Sequence, residues 1–82
     1  MYTTSRYASL ETRRLARRLS GDNGEIYLSR GKKTVRDLVL LARRRGEESI
    51  SIIGEKGKIP STLSRLEVLG TGGWKWKGKK EL

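Results

Sequence analysis

Apolar residues recur along this chain with two periods, and the switches between them mark the elements. Tyr2-Thr3-Thr4-Ser5-Arg6 has the β-branched and aromatic character of a short strand. Thr12, Leu15, Ala16 and Leu19 follow at i, i+3, i+4 and i+7, one face of a helix, with Ser9 placed as its N-cap. The turn residues Gly21-Asp22-Asn23-Gly24 end that helix. Residues 25–29 alternate again, Ile26 and Leu28 to one side and Tyr27 and Ser29 to the other, which predicts a second strand. Thr34 with Asp37 three residues later is a capping-box start. Val35, Leu38, Val39 and Ala42 then share a helical face, closed by Arg43-Arg44-Arg45 and a C′ glycine at Gly46.

The second half reads as strands. Ile50-Ser51-Ile52-Ile53 is the most apolar run and predicts the central strand. A loop at residues 54–58 and Pro60 precede a fourth strand over 62–69, where Leu66 and Val68 share one face. Leu63 and Leu69 have the opposite parity, which predicts a bulge or bend. After a glycine turn, Trp74-Lys75-Trp76-Lys77 alternates as a further strand or tail. The order β-α-β-α-β-β, with an added last strand, predicts a single α/β domain. Its parallel strands carry an antiparallel edge, and the two helices lie together on one side of this mixed sheet. Residues 1–73 form the domain and 74–82 its basic Trp/Lys strand or tail. The core is expected at Leu15, Leu19, Val35, Leu38, Val39, Ile50 and Ile52.

Charge narrows the function. The chain has 82 residues, 19 Lys and Arg against 9 Asp and Glu, and a net charge of +10. There is no Cys and no His, so a thiol nucleophile, a disulfide and the commonest general base and metal ligand are all excluded. The carboxylates form no catalytic pair, so no enzyme, cofactor or small-molecule substrate is expected. No apolar run reaches the length of a membrane helix, and the basic, Thr-rich start lacks a signal peptide's apolar core. A cytoplasmic protein with a polyanionic partner follows.

The cations cluster. Residues 1–45 hold 12 basic and 4 acidic side chains. Arg13, Arg14, Arg17 and Arg18 lie opposite the first helix's apolar face, where only Glu11 mixes in a negative charge. Forked guanidiniums about one turn apart suit rows of phosphate oxygens. Arg30-Gly31-Lys32-Lys33 links a strand to a helix start, where a glycine admits close approach and the helix end favours phosphate. No Gly-x4-Gly-Lys-Ser/Thr loop is present, so nucleotide hydrolysis has no support. Trp74, Lys75, Trp76 and Lys77 interleave aromatics with cations. The two rings either stack on RNA bases or cap the core, and Lys75, Lys77, Lys79 and Lys80 can meet phosphate in both cases. Leu40 falls off the apolar stripe of the second helix, a candidate partner contact.

Three segments together resemble the start of a Brix domain. They are Thr3-Thr4-Ser5-Arg6 before a Ser-capped basic helix; Tyr27-Leu28-Ser29-Arg30-Gly31-Lys32-Lys33 before a Leu-rich helix; and Ile50-Ser51-Ile52-Ile53-Gly54-Glu55 followed by Pro60 and Leu63-Ser64-Arg65-Leu66. The match runs over residues 2–69 in the correct order and covers the N-terminal half of such a domain. The resemblance implies a fold like the anticodon-binding domain of class II aminoacyl-tRNA synthetases, archaeal relatives, and a role with ribosomal RNA and neighbouring ribosomal proteins. It carries Arg6, Arg30, Lys32 and Lys33 over as RNA-binding positions; the helix arginines come from the charge pattern. The leading expectation is a non-catalytic ribosomal-RNA-binding component of the ribosome, its small subunit favoured by analogy. The alternatives are a transient ribosome-biogenesis factor on precursor RNA, or a tRNA- or DNA-binding module.

Overall fold

The computed structural model describes residues 1–82. Its elements in chain order are β1 (Tyr2–Thr4), α1 (Leu10–Asp22), α2 (Val35–Arg44), β2 (Ser49–Lys56), β3 (Ile59–Val68) and β4 (Trp74–Glu81). They form one four-stranded sheet in the order β1-β2-β3-β4. β1 is parallel to β2, while β2–β3 and β3–β4 are antiparallel. The α/β class with a mixed sheet and two helices is as expected. The strand expected at 25–29 is reduced to one parallel bridge, Tyr2↔Tyr27. Tyr2 carries the backbone pairing on that edge: its N–H donates to Ile26 O and its carbonyl accepts from Leu28 N–H, both at 2.8 Å, whereas Thr4, the next residue to face it, gives its carbonyl to Arg30 Nη1. Of the stretch at 74–82, Trp74–Glu81 pairs with β3 as β4.

The helices do not share a side. From β1 the chain goes through α1 to the Tyr27 segment on one edge, then back through α2 to β2 on the other. Right-handed crossovers in opposite directions place their helices on opposite faces. Two core clusters match this arrangement. Leu38, Val39 and Ala42 of α2 meet Met1, Ile50, Ile52 and Leu66. Ala16 of α1 meets Tyr2 and Ile53, flanked by Leu15, Leu19, Tyr27 and Leu63. Adjacent residues on a strand point to opposite faces, so Ile52 and Ile53 serve different helices. The same two-sided burial explains the mixed parity of Leu63 and Leu66. Against β2 the pairing is regular from Leu63 to Leu66; the irregularities lie at Gly54/Glu55 in that pairing and at Arg65/Leu66 against β4, so a bulge does fall within the expected stretch.

The expected core holds for Leu38, Val39, Ile50 and Ile52, whereas Leu15, Leu19 and Val35 are half-buried. On α1 the buried line is Thr12, Ala16 and Ser20. These small residues bring the helix axis close to Tyr2 and Ile53, and the two leucines seal its flanks.

Both helices start on well-made caps. Thr34 and Asp37 exchange the two bonds of a capping box at 3.0 and 3.2 Å. At α1 the cap is built across the fold. Ser9 accepts from Thr12 N–H, and Glu55, at the end of β2, accepts from Ser9 N–H at 3.2 Å and from the Thr12 hydroxyl. Ser9 Oγ lies 2.9 Å from the same carboxylate oxygen. The Thr12 bond first, then the Ser9 bonds and the charge of Lys58, hold the Glu55 carboxyl below the ordinary glutamate range. At the opposite end of the sheet, the Met1 ammonium is bonded by Glu25 and Glu47 and by Ser49 O.

Two outcomes are expected. Leu38→Ala removes a fully buried side chain and should lower unfolding stability by about 2–5 kcal/mol, read from the denaturant midpoint. Glu55 has a native pKa below its unfolded one, so its contribution is present above the unfolded value. It is lost as pH falls through the native value, on the acid side of the ordinary glutamate range. An acid titration of melting temperature should therefore show a steeper acid limb in the wild type than in Glu55→Gln.

Candidate nucleic-acid interface

α1 covers β1, β2 and the start of β3, and leaves the rest of that sheet face open. Its arginines form two ridges at i, i+4 spacing, Arg13/Arg17 and Arg14/Arg18, all exposed. The Arg17 guanidinium stands 5.2 Å above the Tyr27 ring. Arg14 and Arg18 face the other way and, with Glu11, Leu15 and Pro60, line a shallow cleft of about 340 Å³ between α1 and β3.

A second cleft, about 360 Å³, opens further along the sheet and is lined by Leu63, Arg65, Lys77, Gly78, Lys79 and Lys80. The register places it. Leu63 pairs with Ile53 and Lys80, and Arg65 with Ser51 and Gly78, which sets these residues on the face that carries α1. Arg65 Nε donates to Ser51 Oγ at 3.3 Å, an anchor that aims its guanidinium along the sheet. Leu82 N–H donates to Ser61 O at 2.9 Å, so the lysine-rich end of β4 runs beside the start of β3. Pro60 and Leu63, three residues apart on β3, join the two clefts. One side of the molecule thus holds Arg14, Arg18, Arg65 and Lys80 around an open sheet surface, with Lys77, which also lines a cleft with Ser64, Trp76 and Lys79, at its margin.

The irregularity at Arg65/Leu66 leaves Lys77 without a partner on β3, since Gly78 pairs with Arg65 and Trp76 with Leu66. The tryptophans lie on the opposite, α2-bearing face. Trp76 is across from Leu66 and Trp74 across from Val68, yet the rings are 51% and 37% exposed. They extend the core surface beyond the reach of α2 without entering the core. Lys79, opposite Ser64, shares their face, and Lys75, opposite Glu67, shares the α1 face. Leu40 is exposed on α2, beside Lys33, Asp37, Leu41 and Arg44.

The Arg30–Lys33 connector occupies a third place, at the carboxyl ends of β1 and the Tyr27 bridge. Its residues differ in kind. Arg30 is 7% exposed; its Nε donates to Lys33 O at 2.8 Å and its Nη1 to Thr4 O at 3.1 Å. Burial, and secondarily the Arg6 guanidinium, lower its pKa from the ordinary arginine value, and it stays charged at neutral pH. Arg30 therefore ties the connector to β1. Gly31, at φ 55°, takes the left-handed backbone that lets the connector turn. Lys33 Nζ donates to Ser29 O at 3.2 Å, while Arg6 and Lys32 are exposed.

None of the 19 Lys and Arg side chains lies within 4.0 Å of a carboxylate; both ion pairs in the fold belong to the Met1 ammonium. Ordinary basic faces carry interspersed acids. Here Glu25 and Glu47 are held at the N-terminus, and Glu55 and Asp37 cap helices. These four of the nine acids are used inside the fold, while most of the cations are exposed and without a carboxylate partner. Arg65 sits in a sequence motif that gives no sign of a binding role; only the strand register shows its placement. Tyr7, beside Arg6, carries no signal in the periodicity.

No protein-family model matches the chain, and no curated protein does. Solved structures do. Mil, an archaeal Imp4-like protein, superposes with a TM-score of 0.80 at 32% identity over 95% of this chain. A probable ribosomal biogenesis protein from Aeropyrum pernix K1 superposes with a TM-score of 0.85 at 26% identity, again over 95% of the chain. The chain spans 47% and 44% of those two proteins, about half of each. In fold and in sequence, it is similar to one half of an archaeal Imp4-like protein.

Proposed function

We propose that this chain is a Brix-like, non-catalytic protein that binds ribosomal RNA through the α1 side of its sheet. One observation carries the reading: 19 cationic side chains have no carboxylate partner, and Arg14, Arg18, Arg65 and Lys80 stand around one open surface. Phosphates are the partners this surface lacks. The kinship with an Imp4-like protein and a ribosomal biogenesis protein supports ribosomal RNA over tRNA or DNA. Contacts of this kind position the protein on the RNA backbone and carry little sequence information.

The first reading keeps the protein in the cytoplasm on the mature ribosome, with neighbouring ribosomal proteins as further partners. The second, a transient assembly factor on precursor RNA, is favoured by the role named for the Aeropyrum pernix neighbour. Sucrose-gradient sedimentation with immunoblotting separates the two. Recovery in mature subunits, 70S particles and polysomes supports the first; recovery confined to precursor particles supports the second. Free protein at the top of a low-salt gradient would contradict both.

Replacing Arg13, Arg14, Arg17 and Arg18 with Gln should preserve helix propensity and change stability by about 1 kcal/mol at most, chiefly from the Arg17–Tyr27 pair. Ribosomal-RNA affinity should fall, and the slope of log affinity against log salt should flatten by about 0.7–0.9 for each phosphate that is no longer neutralised. Filter binding across a salt series checks this. An unchanged slope would mean that the face is merely solvated.

A further inference from the structure

Tyr7 combines three properties that the fold does not require. It is one of two non-glycine residues at positive φ, at 54°. Its side chain is 71% exposed, the most exposed large apolar group on the molecule. Its ring has the Arg6 guanidinium 5.9 Å from its centre. A bulky residue in the left-handed region is an outlier that the surroundings must hold in place. The restraint is visible: Tyr7 N–H donates to Gly31 O at 3.1 Å, and the connector bearing Gly31 is fastened to β1 by buried Arg30 through Thr4 O and Lys33 O. The ring packs in neither core cluster.

The place also matters. Tyr7 lies just past the carboxyl end of β1, where the crossover through α1 and the return through α2 diverge. That crevice is where open α/β sheets bind ligands. Exposed Arg6 and Lys32 stand beside it. A flat ring held open to solvent, flanked by unpaired cations, matches the face of a nucleobase with its neighbouring phosphates. In duplex RNA the base faces are covered by stacking, and unpaired nucleotides present them.

Resting on the RNA-binding reading above, we infer that Tyr7 is a stacking platform for an unpaired nucleotide, with Arg6 and Lys32 on the adjacent phosphates. The site is distinct from the phosphate-binding α1 side. It gives the protein a preference for RNA with a looped-out or single-stranded base.

The test uses two RNA probes of equal length, a single strand carrying 2-aminopurine and a fully paired duplex. The proteins are the wild type, Tyr7→Gly, Tyr7→Phe and the double variant Arg14→Gln/Arg18→Gln. Glycine accepts positive φ without strain, so Tyr7→Gly should melt no lower than the wild type. The wild type should quench 2-aminopurine on binding. Tyr7→Gly should abolish the quenching and bind the single strand about tenfold more weakly, with duplex affinity unchanged, as for removal of one base stack. Tyr7→Phe should retain both. The Arg14/Arg18 variant should weaken both probes while keeping the quenching. Unchanged single-strand affinity and quenching in Tyr7→Gly would overturn the stacking site and leave RNA binding standing. Wild-type protein that binds neither probe would overturn the RNA-binding reading itself, and this site with it.

Discussion

The arrangement depends on β1, three residues paired along both edges. Tyr2 exchanges bonds with the Tyr27 segment on one side, while Ser51 N–H donates to Met1 O and Ser5 N–H to Ile53 O on the other. Thr3 and Thr4 are fully buried, and the Thr3 hydroxyl donates to Leu28 O at 2.6 Å. A strand entered from both directions forces the crossovers apart and sends one helix to each face. Two helices over four strands cannot cover both faces, so the antiparallel extension β3–β4 projects beyond them. Every residue of β4 is exposed. The open surface that the cations surround is thus a consequence of topology, and so is the crevice beside Tyr7.

Electrostatics completes the division of labour. A chain with net charge +10 repels itself when folded, and four of its nine acids sit where they relieve that strain locally. Glu55 couples α1 to the end of β2, Asp37 starts α2, and Glu25 and Glu47 hold the amino end of β1. Arg30 does the reverse, a buried cation satisfied by two backbone carbonyls, which turns a basic loop into a brace. Most of the remaining cations are exposed and without a carboxylate partner.

The sequence shows the caps, both helices and the strand pairing of the second half because those depend on local periodicity and turn chemistry. Ser9, Thr34 and Gly46 stand where their residue types predict. The one-sided helix arrangement fails although the signal is present: Ile52-Ile53 side by side, and Leu63 out of phase with Leu66, mark a sheet buried on both faces. The strand expected at 25–29 shrinks to a bridge because alternation cannot say how many residues the neighbour offers. Among the candidate site residues, the Arg14/Arg18 ridge and the lysines at 77 and 80 come together across elements far apart in sequence. Burial of Arg30 and the backbone of Tyr7 depend on the packing of two loops, which no spacing encodes. The divided placement of Trp74 and Trp76 from Lys75 follows from strand parity and is legible.

The central claim is that RNA lies on the α1 side of the sheet and reaches the crevice at the end of β1. Ultraviolet cross-linking of the protein mixed with ribosomal RNA, with mass spectrometry of the peptides attached to RNA, tests it directly. Cross-links should fall at Tyr7, along Arg14–Arg18 and at Arg65 and Lys80. Cross-links confined to the outer face of α2, around Arg36, Leu40 and Arg44, would contradict it.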